Sequence, residues 1–474
     1  MNIINLWTKS NKNNILTSQH RATHTYVIGQ PGTGKSRTLE SWIMQDIVAG
    51  HGIGVIDPHG DLFNNLLIRL SFFPDVWKRI VIVDPTDRDW TININPLEAI
   101  PGLPLERTAL FLTDVVMKIW KLDPTTAPRM LWLISNTFLA LADLNLTLLE
   151  LPEFLCNRGY RESMLPRLSN NRVRHYFKFE FPKAPNTALQ WSSPILNKIG
   201  ALIFDPDIRP MIAGGKTLNL REVMDNQRIL LINLSKGILG EAASALLGAF
   251  ILARLQSIAL SRADTRNRSP FYLYLDEFQN YTTDNVKEIL SESRKYGLSI
   301  IFAHQYLDQL PSNIRSAVLN TTGTLVCFRI GNQDARQLVR EIFPSSTYLA
   351  ENTKVLTIKQ NGLWPQLQTE NKLESSNWER LVQELSSLSI RTFWVKRRGI
   401  TIPTKHRSYD MPDIKLTPSI QGNIQRLAQA SYQRFGIQKS FIPEYSRYSP
   451  NQTNKSHSLD SFTDMIEDIP LWDR

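Results

Sequence analysis

The chain has 474 residues, 42% of them hydrophobic and 21% charged, with a formal net charge of +10 and a pI of about 9.4. That length buries a large core and is enough for two or more domains, the composition is that of an ordinary globular protein, and the positive balance permits an anionic partner such as nucleic acid without requiring one. The only cysteines, Cys156 and Cys327, lie far apart, which excludes a disulfide framework and any Cys/His metal spacing and fits a reducing cytoplasm.

Residues 1–22 are polar and Asn-rich and are expected to form a flexible arm, with no apolar core long enough for a signal peptide. Tyr26, Val27 and Ile28 then make a short apolar run of strand type. Residues 29–34 cannot continue it, because Pro31 and three glycines break any regular ladder. Leu39, Trp42, Ile43 and Ile47 follow at helical spacing. The order strand, glycine loop, helix frames Gly29, Gln30, Pro31, Gly32, Thr33, Gly34, Lys35 and Ser36, the phosphate-loop pattern. Small residues let successive backbone N–H groups turn inward around phosphate oxygens, and the helix N-terminus adds partial positive charge. Lys35 is expected to reach the β- and γ-phosphates and the Ser36 hydroxyl to ligate Mg²⁺. Arg37, the next residue, is counted with residues 29–36 as nucleotide-binding.

A strand–helix rhythm continues to about residue 100. "GIGVIDPHG" is a strand ending in Asp57, "DLFNNLLIRL" a helix, and "RIVIVDP" a third strand ending in Asp84. Such alternation means a parallel sheet with helices on its faces. The rhythm stops near residue 101. Residues 105–226 read as a helical insertion, with Pro-marked breaks at 124, 128, 152, 166, 182 and 194. The α/β rhythm then resumes with "RILLINLSKG" and the apolar stretch 244–260. That stretch is interrupted by Arg254 and Gln256 and falls short of the ~20 residues a span needs, so it reads as a buried helix. "LSIIFAHQ" and "TLVCFRIG" are two further buried strands, and residues 390–396 a late one. Thr417 and Pro418 open a helix running to Gly436. A polar linker follows, then an acidic amphipathic stretch, 459–472, open to two readings: a docking peptide, or a terminal helix folded back on its own domain.

A phosphate loop needs a carboxylate at the end of a buried strand. The unbroken apolar run 271–275 ends in Asp276 and Glu277 and suits a strand covered on both faces. Asp276 is expected to hold Mg²⁺, and Glu277 to orient and deprotonate the attacking water. Asp57 and Asp61 sit where ligands collect in such sheets, either touching metal-bound water or a pore loop or capping a turn. His59 and His304 without Cys or a HExxH pattern argue against any metal other than Mg²⁺. No aromatic-rich basic run stands out as a platform for stacking a single strand, and no DNA-contacting loop is assigned.

The blocks "HTYVIGQPGTGKSRTL", "GVIDPHGDL", "LLINLSKGILGEAASALLGAFI", "YLDEFQNYTTDNVKEILSESRKYGLSIIFAHQYLDQL" and "TGTLVCFRIGNQDA" resemble the HerA/FtsK-type ATPases. Within them the chain resembles the conjugative coupling proteins (TraG/TraD-like) of type IV secretion, from about residue 23 to 400. The resemblance implies a RecA-like P-loop ATPase domain of the α/β class, with a central mostly parallel sheet in two parts (23–104 and 227–400) around an all-α insertion domain (105–226). A C-terminal helix, linker and tail follow (401–474). It implies ATP as the nucleotide, a ring of six subunits that pulls DNA through a pore, and nucleotide at subunit boundaries. By the same resemblance, Arg294 in "SRKYG" matches an arginine that reaches a neighbour's nucleotide, and Gln305 in "AHQ" a glutamine that senses the γ-phosphate. Arg329 is either a second boundary arginine or a solvent-facing strand end. Membrane-anchored coupling proteins carry an apolar N-terminal segment and FtsK-type motors a winged-helix module, and neither is expected here. A separate anchor protein, a relaxase or a secretion channel are the partners the resemblance suggests. Protein secretion or pilus assembly without DNA, and scaffolding of a defence complex, are the competing readings.

Overall fold

The computed structural model describes residues 3–5, 15–214, 217–281, 285–343 and 370–442. At its centre is a nine-stranded sheet. In chain order its strands are β1 (Thr25–Ile28), β2 (Gly52–Asp57), β3 (Ile80–Val83), β4 (Ile229–Asn233), β5 (Phe271–Leu275), β6 (Leu298–His304), β7 (Thr324–Cys327), β8 (Thr392–Arg397) and β9 (Thr404–Arg407). Across the sheet they stand in the order β9-β8-β7-β1-β6-β5-β2-β4-β3. The strands from β7 through to β3 are parallel, and β8 and β9 are added antiparallel at one edge. Every residue of β1, β2, β4, β5 and β6 is buried. Burial on both faces is why these strands read as unbroken apolar runs. The loops after β1, β2, β5 and β6 therefore open on one edge of the sheet, where ligands collect in this architecture.

The insertion between β3 and β4 is helical, its longest members being Leu105–Ile119, Pro128–Asp143 and Pro185–Ile203. Its first helix packs against Glu241–Ser261, which carries it on the sheet domain. Pro128 and Pro152 stand in the first turns of helices, where a missing N–H costs nothing. Pro194 does not break the chain as expected: it lies inside Pro185–Ile203. The helix Glu241–Ser261 is long and apolar enough by composition to cross a membrane, yet it is enclosed by the protein, 89% of its most apolar window being buried. Arg254 is accommodated there because its Nη2 donates to Glu98 Oε2 at 3.2 Å.

At the N-terminal end the structure differs from the sequence reading, and at the C-terminal end it agrees on the helix that opens at Pro418. Residues 15–22 are not a loose arm. Ile15–Thr17 pairs antiparallel with Ile3–Asn5, and Ser18–Ala22 is a short helix. Arg21, 1% exposed, forks onto Asp46 of the phosphate-loop helix (Nη1 to Oδ1 2.7 Å, Nη2 to Oδ2 2.5 Å) and lies 3.5 Å from the Tyr272 ring centroid. Tyr274 donates to Asp46 Oδ2 at 2.6 Å. A polar composition hides this, because only the fold supplies the buried partner. At the other end, Thr417 caps the helix Pro418–Phe435 by accepting from Ile420 N–H at 3.4 Å. That helix covers edge strand β3, where Ser431 Oγ accepts from Ile82 N–H at 2.9 Å. Ile437–Gln438 then pairs with Trp90–Thr91. The acidic stretch 459–472 lies outside the described residues.

Candidate active site

The loop 29–34 leaves β1 and turns directly into the helix Lys35–Val48. Gly32 and Gly34 hold φ of +73° and +106°, a region that excludes side chains with little exception. At Gly29 the restriction is contact instead: a Cβ would sit 2.5 Å from Phe328 Cβ. Gln30, Pro31 and Gly32 form the accessible crown of the loop. Thr33 faces inward and donates to Gln30 O at 2.7 Å. Lys35 is buried, with Nζ donating to the carbonyls of Gly29 (2.5 Å) and Gln30 (3.2 Å). Burial lowers its pKa, and Asp276 and Glu277 oppose that shift. Arg37 turns away from the crown: it donates to Glu40 at 3.0 Å and pairs with Asp413.

Asp276 and Glu277 follow β5 immediately, and Gln305 follows β6. β6 lies between β5 and β1, so the three loops converge. Ser36 Oγ donates to Asp276 Oδ2 at 2.9 Å. Burial first, then the charge of Glu277, raises the Asp276 pKa to about 6. Glu277 has φ +48°, the kind of strained backbone found at functional positions. Its carboxylate is held by two amides: Oε1 accepts from Gln305 Nε2 at 2.8 Å and Oε2 from Gln279 Nε2 at 2.6 Å. The hydroxyl of one wall and the carboxylate of the other thus form a Ser/Asp pair suited to Mg²⁺ with its water shell, beside a loop of backbone donors suited to phosphate.

The remaining expected residues divide. Asp57 proves to be a turn cap: Oδ1 accepts from His59 N–H and Oδ2 from Phe63 N–H, both at 2.9 Å. Asp61 is the exposed first residue of the helix Asp61–Leu70. His304 is buried against the Tyr26 hydroxyl at 2.5 Å, and burial lowers its pKa to about 3. Arg329 meets the loop through its backbone, its carbonyl accepting from Gln30 N–H at 2.8 Å. Arg294 is exposed and precedes β6, at the opposite end of the sheet from the phosphate loop. At about 3.3 Å per residue, the length of β6 puts it roughly 20 Å from Gln305, beyond side-chain reach of the phosphate loop. Sequence reasoning missed Arg391. Its N–H donates to Thr33 O at 2.8 Å and its chain packs over Gly34. It has φ +66°, and its guanidinium pairs with Asp410 at 2.5 Å at the mouth of the loop. No motif marks it, because its place depends on β8 returning beside β7.

Residues 270–383 match the family described as the TraM recognition site of TraD and TraG. Over that segment the chain is similar to the TraG/TraD-type coupling proteins. Among solved structures it is similar to the bacterial conjugative coupling protein TrwB in an unbound form, with a TM-score of 0.59 at 15% identity, covering 86% of this chain and 89% of that one. TrwB in complex with a non-hydrolysable ATP analogue matches with a TM-score of 0.57 at 16% identity, over 87% and 92% of the two chains. VirB4 of Thermoanaerobacter pseudethanolicus matches with a TM-score of 0.52 at 13% identity, over 82% and 90%. A search of curated protein sequences returns no match. The chain thus has the expected RecA-like P-loop fold with a helical insertion.

Proposed function

We propose that this chain is an ATP-driven translocase that moves DNA through the pore of a six-membered ring. The observation that carries the reading is the convergence of Lys35, Ser36, Asp276, Glu277 and Gln305 on one edge of the sheet, with Ser36 and Asp276 2.9 Å apart and Glu277 and Gln305 2.8 Å apart. TrwB, of the same fold, is described with an ATP analogue and with ADP and Mg²⁺, which supports the same ligands here.

On nucleotide binding, Lys35 Nζ exchanges the carbonyls of Gly29 and Gln30 for β- and γ-phosphate oxygens. The backbone N–H groups of residues 29–36 take the remaining phosphate oxygens. Ser36 and Asp276 are the residues that would hold Mg²⁺, which would neutralise charge developing on the phosphates. Glu277 orients the attacking water and takes its proton, while Gln279 and Gln305 keep the carboxylate aimed. Because Gln305 bonds Glu277 directly, a shift of Gln305 toward the γ-phosphate would release the base. Arg294 supplies positive charge to the nucleotide of an adjacent subunit, since it stands far from its own. DNA phosphates are the contacts, so binding is salt-sensitive and tolerant of sequence. The protein acts in the cytoplasm, or at the inner membrane face through a separate anchor, and hands DNA from a relaxase to a secretion channel.

The test is ATP hydrolysis by the full chain without DNA, with a single strand and with a duplex, at low and moderate salt. Stimulation by DNA that is lost in Lys35→Ala and Glu277→Gln is the expected result. Strong hydrolysis indifferent to both DNA forms would overturn the translocase and favour a motor for protein cargo.

A further inference from the structure

The helical insertion concentrates charge. Residues 167–198 contain six Lys or Arg and one acid, Glu180, a surplus equal to half the net charge of the whole chain. The same stretch exposes aromatic rings. Phe179 is 60% exposed and Trp132, on the neighbouring helix, 42%. Exposure of Phe179 is not a packing failure, since Phe177 and Phe181 on either side of it are buried. It stands on a π-helical turn, Tyr176–Glu180, a backbone form that recurs at functional sites.

The rings and cations alternate across three elements. Arg172 lies over Trp132 at 5.7 Å, Lys178 over Phe179 at 5.3 Å, and Arg129 over Trp191 at 4.8 Å. Arg129 and Trp132 share one face of Pro128–Asp143, which joins these pairs into a continuous strip. Glu180 is the one carboxylate in it, 3.5 Å from both Trp132 Nε1 and His175 Nδ1.

We propose that this strip binds single-stranded nucleic acid, with bases stacked on Trp132 and Phe179 and phosphates paired with Arg129, Arg172 and Lys178. The inference rests on the translocase reading for its biological sense and names the form of the track. A protein partner would favour a continuous apolar patch, whereas here each exposed ring carries a cation. A duplex offers phosphates but keeps its base faces stacked, so it would leave both rings unused. A flexible strand uses both, and base–aromatic stacking is tolerant of sequence, as a translocase needs. Read along the chain, the run 172–181 is indistinguishable from helix core because Val173, Tyr176, Phe177 and Phe181 are buried. Only the packing shows that the other half of the run faces out beside Trp132.

The experiment is fluorescence anisotropy with a labelled oligothymidylate and with a duplex of equal length, using the full chain without nucleotide. Trp132→Ala with Phe179→Ala should weaken the oligothymidylate at least tenfold, at about 5- to 100-fold per ring, and leave the duplex within twofold. Trp132→Phe with Phe179→Tyr should restore it. Both residues are exposed, so unchanged DNA-free ATP hydrolysis reports an intact fold. Equal affinity of the double alanine variant and the parent for oligothymidylate would overturn this inference alone. Loss of duplex and single-strand binding together would also overturn it, because the rings would then shape a surface that both forms use rather than stack exposed bases. Failure of the parent to bind either DNA would remove the translocase reading with it.

Discussion

Glu277 combines a left-handed backbone with a carboxylate clamped by two amides. Such a group is oriented before substrate arrives. Glu277→Gln keeps both the shape and the nucleotide contacts of the site, so it should bind ATP normally while the turnover rate falls by about 10²- to 10⁴-fold, the usual worth of a general base. Asp276 sets a pH dependence. Its pKa stands at about 6 through burial and the neighbouring Glu277. Mg²⁺ needs the ionised form, so isothermal titration should find Mg·ATP affinity constant above that value and falling up to about tenfold per pH unit below it. Stability has the opposite sign. A carboxyl whose pKa rises on folding contributes stability that is fully present below about pH 4 and lost as pH climbs through the folded value. Asp276→Asn should therefore raise the melting temperature of the unliganded protein at pH 7.5 while abolishing hydrolysis. At the mouth of the loop, an Arg391 guanidinium that left Asp410 for a phosphate would add one charge-assisted contact, so Arg391→Ala should then cost nucleotide affinity on the order of tenfold. An unchanged dissociation constant would leave Arg391 a purely structural neighbour of Gly34.

Between elements, the phosphate-loop helix is anchored from behind by charge as well as by apolar packing. Arg21, Asp46 and Tyr274 join the N-terminal helix, the phosphate-loop helix and β5 in one buried group. Removing one member leaves the other charge stranded. Asp46→Asn is expected to lower unfolding free energy by roughly 3–5 kcal/mol in urea titrations, and replacing Arg21 and Asp46 together with apolar residues should recover most of the loss. At the far edge of the sheet, Pro418–Phe435 protects β3, with Ser431 taking the Ile82 N–H that no further strand can take. An uncovered edge strand templates aggregation. Ser431→Ala should cost about 1 kcal/mol, measured in the same titrations.

At the scale of the whole molecule, the position of Arg294 separates it from the phosphate loop of its own chain by the length of β6. If the arginine acts on a neighbour, two inactive variants should complement. Lys35→Ala still offers Arg294, and Arg294→Ala still offers a complete phosphate loop. A mixture assembled into rings should hydrolyse ATP where neither variant alone does. No recovery in rings shown to be mixed would restrict Arg294 to a structural part. An arginine that acts on a neighbour would also make hydrolysis depend on assembly, and specific activity should then rise with protein concentration.

The local chemistry and the succession of elements were legible in the amino-acid order. The phosphate loop is contiguous, so its turn, its lysine and its serine sit within one strand–loop–helix unit that spacing alone defines. Asp276 and Glu277 were legible because a strand buried on both faces leaves an apolar run that must end at polar residues. Thr417 and Pro418 marked a helix start by capping chemistry that acts within one turn. The tertiary structure alone decided what depends on distant chain. It made Gln305 a partner of Glu277 and placed Arg391 on the phosphate loop. It gave Arg21 a buried counter-charge. It also drew the cations and rings of the insertion into one strip. These are contacts between residues tens to hundreds of positions apart, and no periodicity records them. They exist because strand order in the sheet and the packing of helices bring remote segments to the same few ångströms.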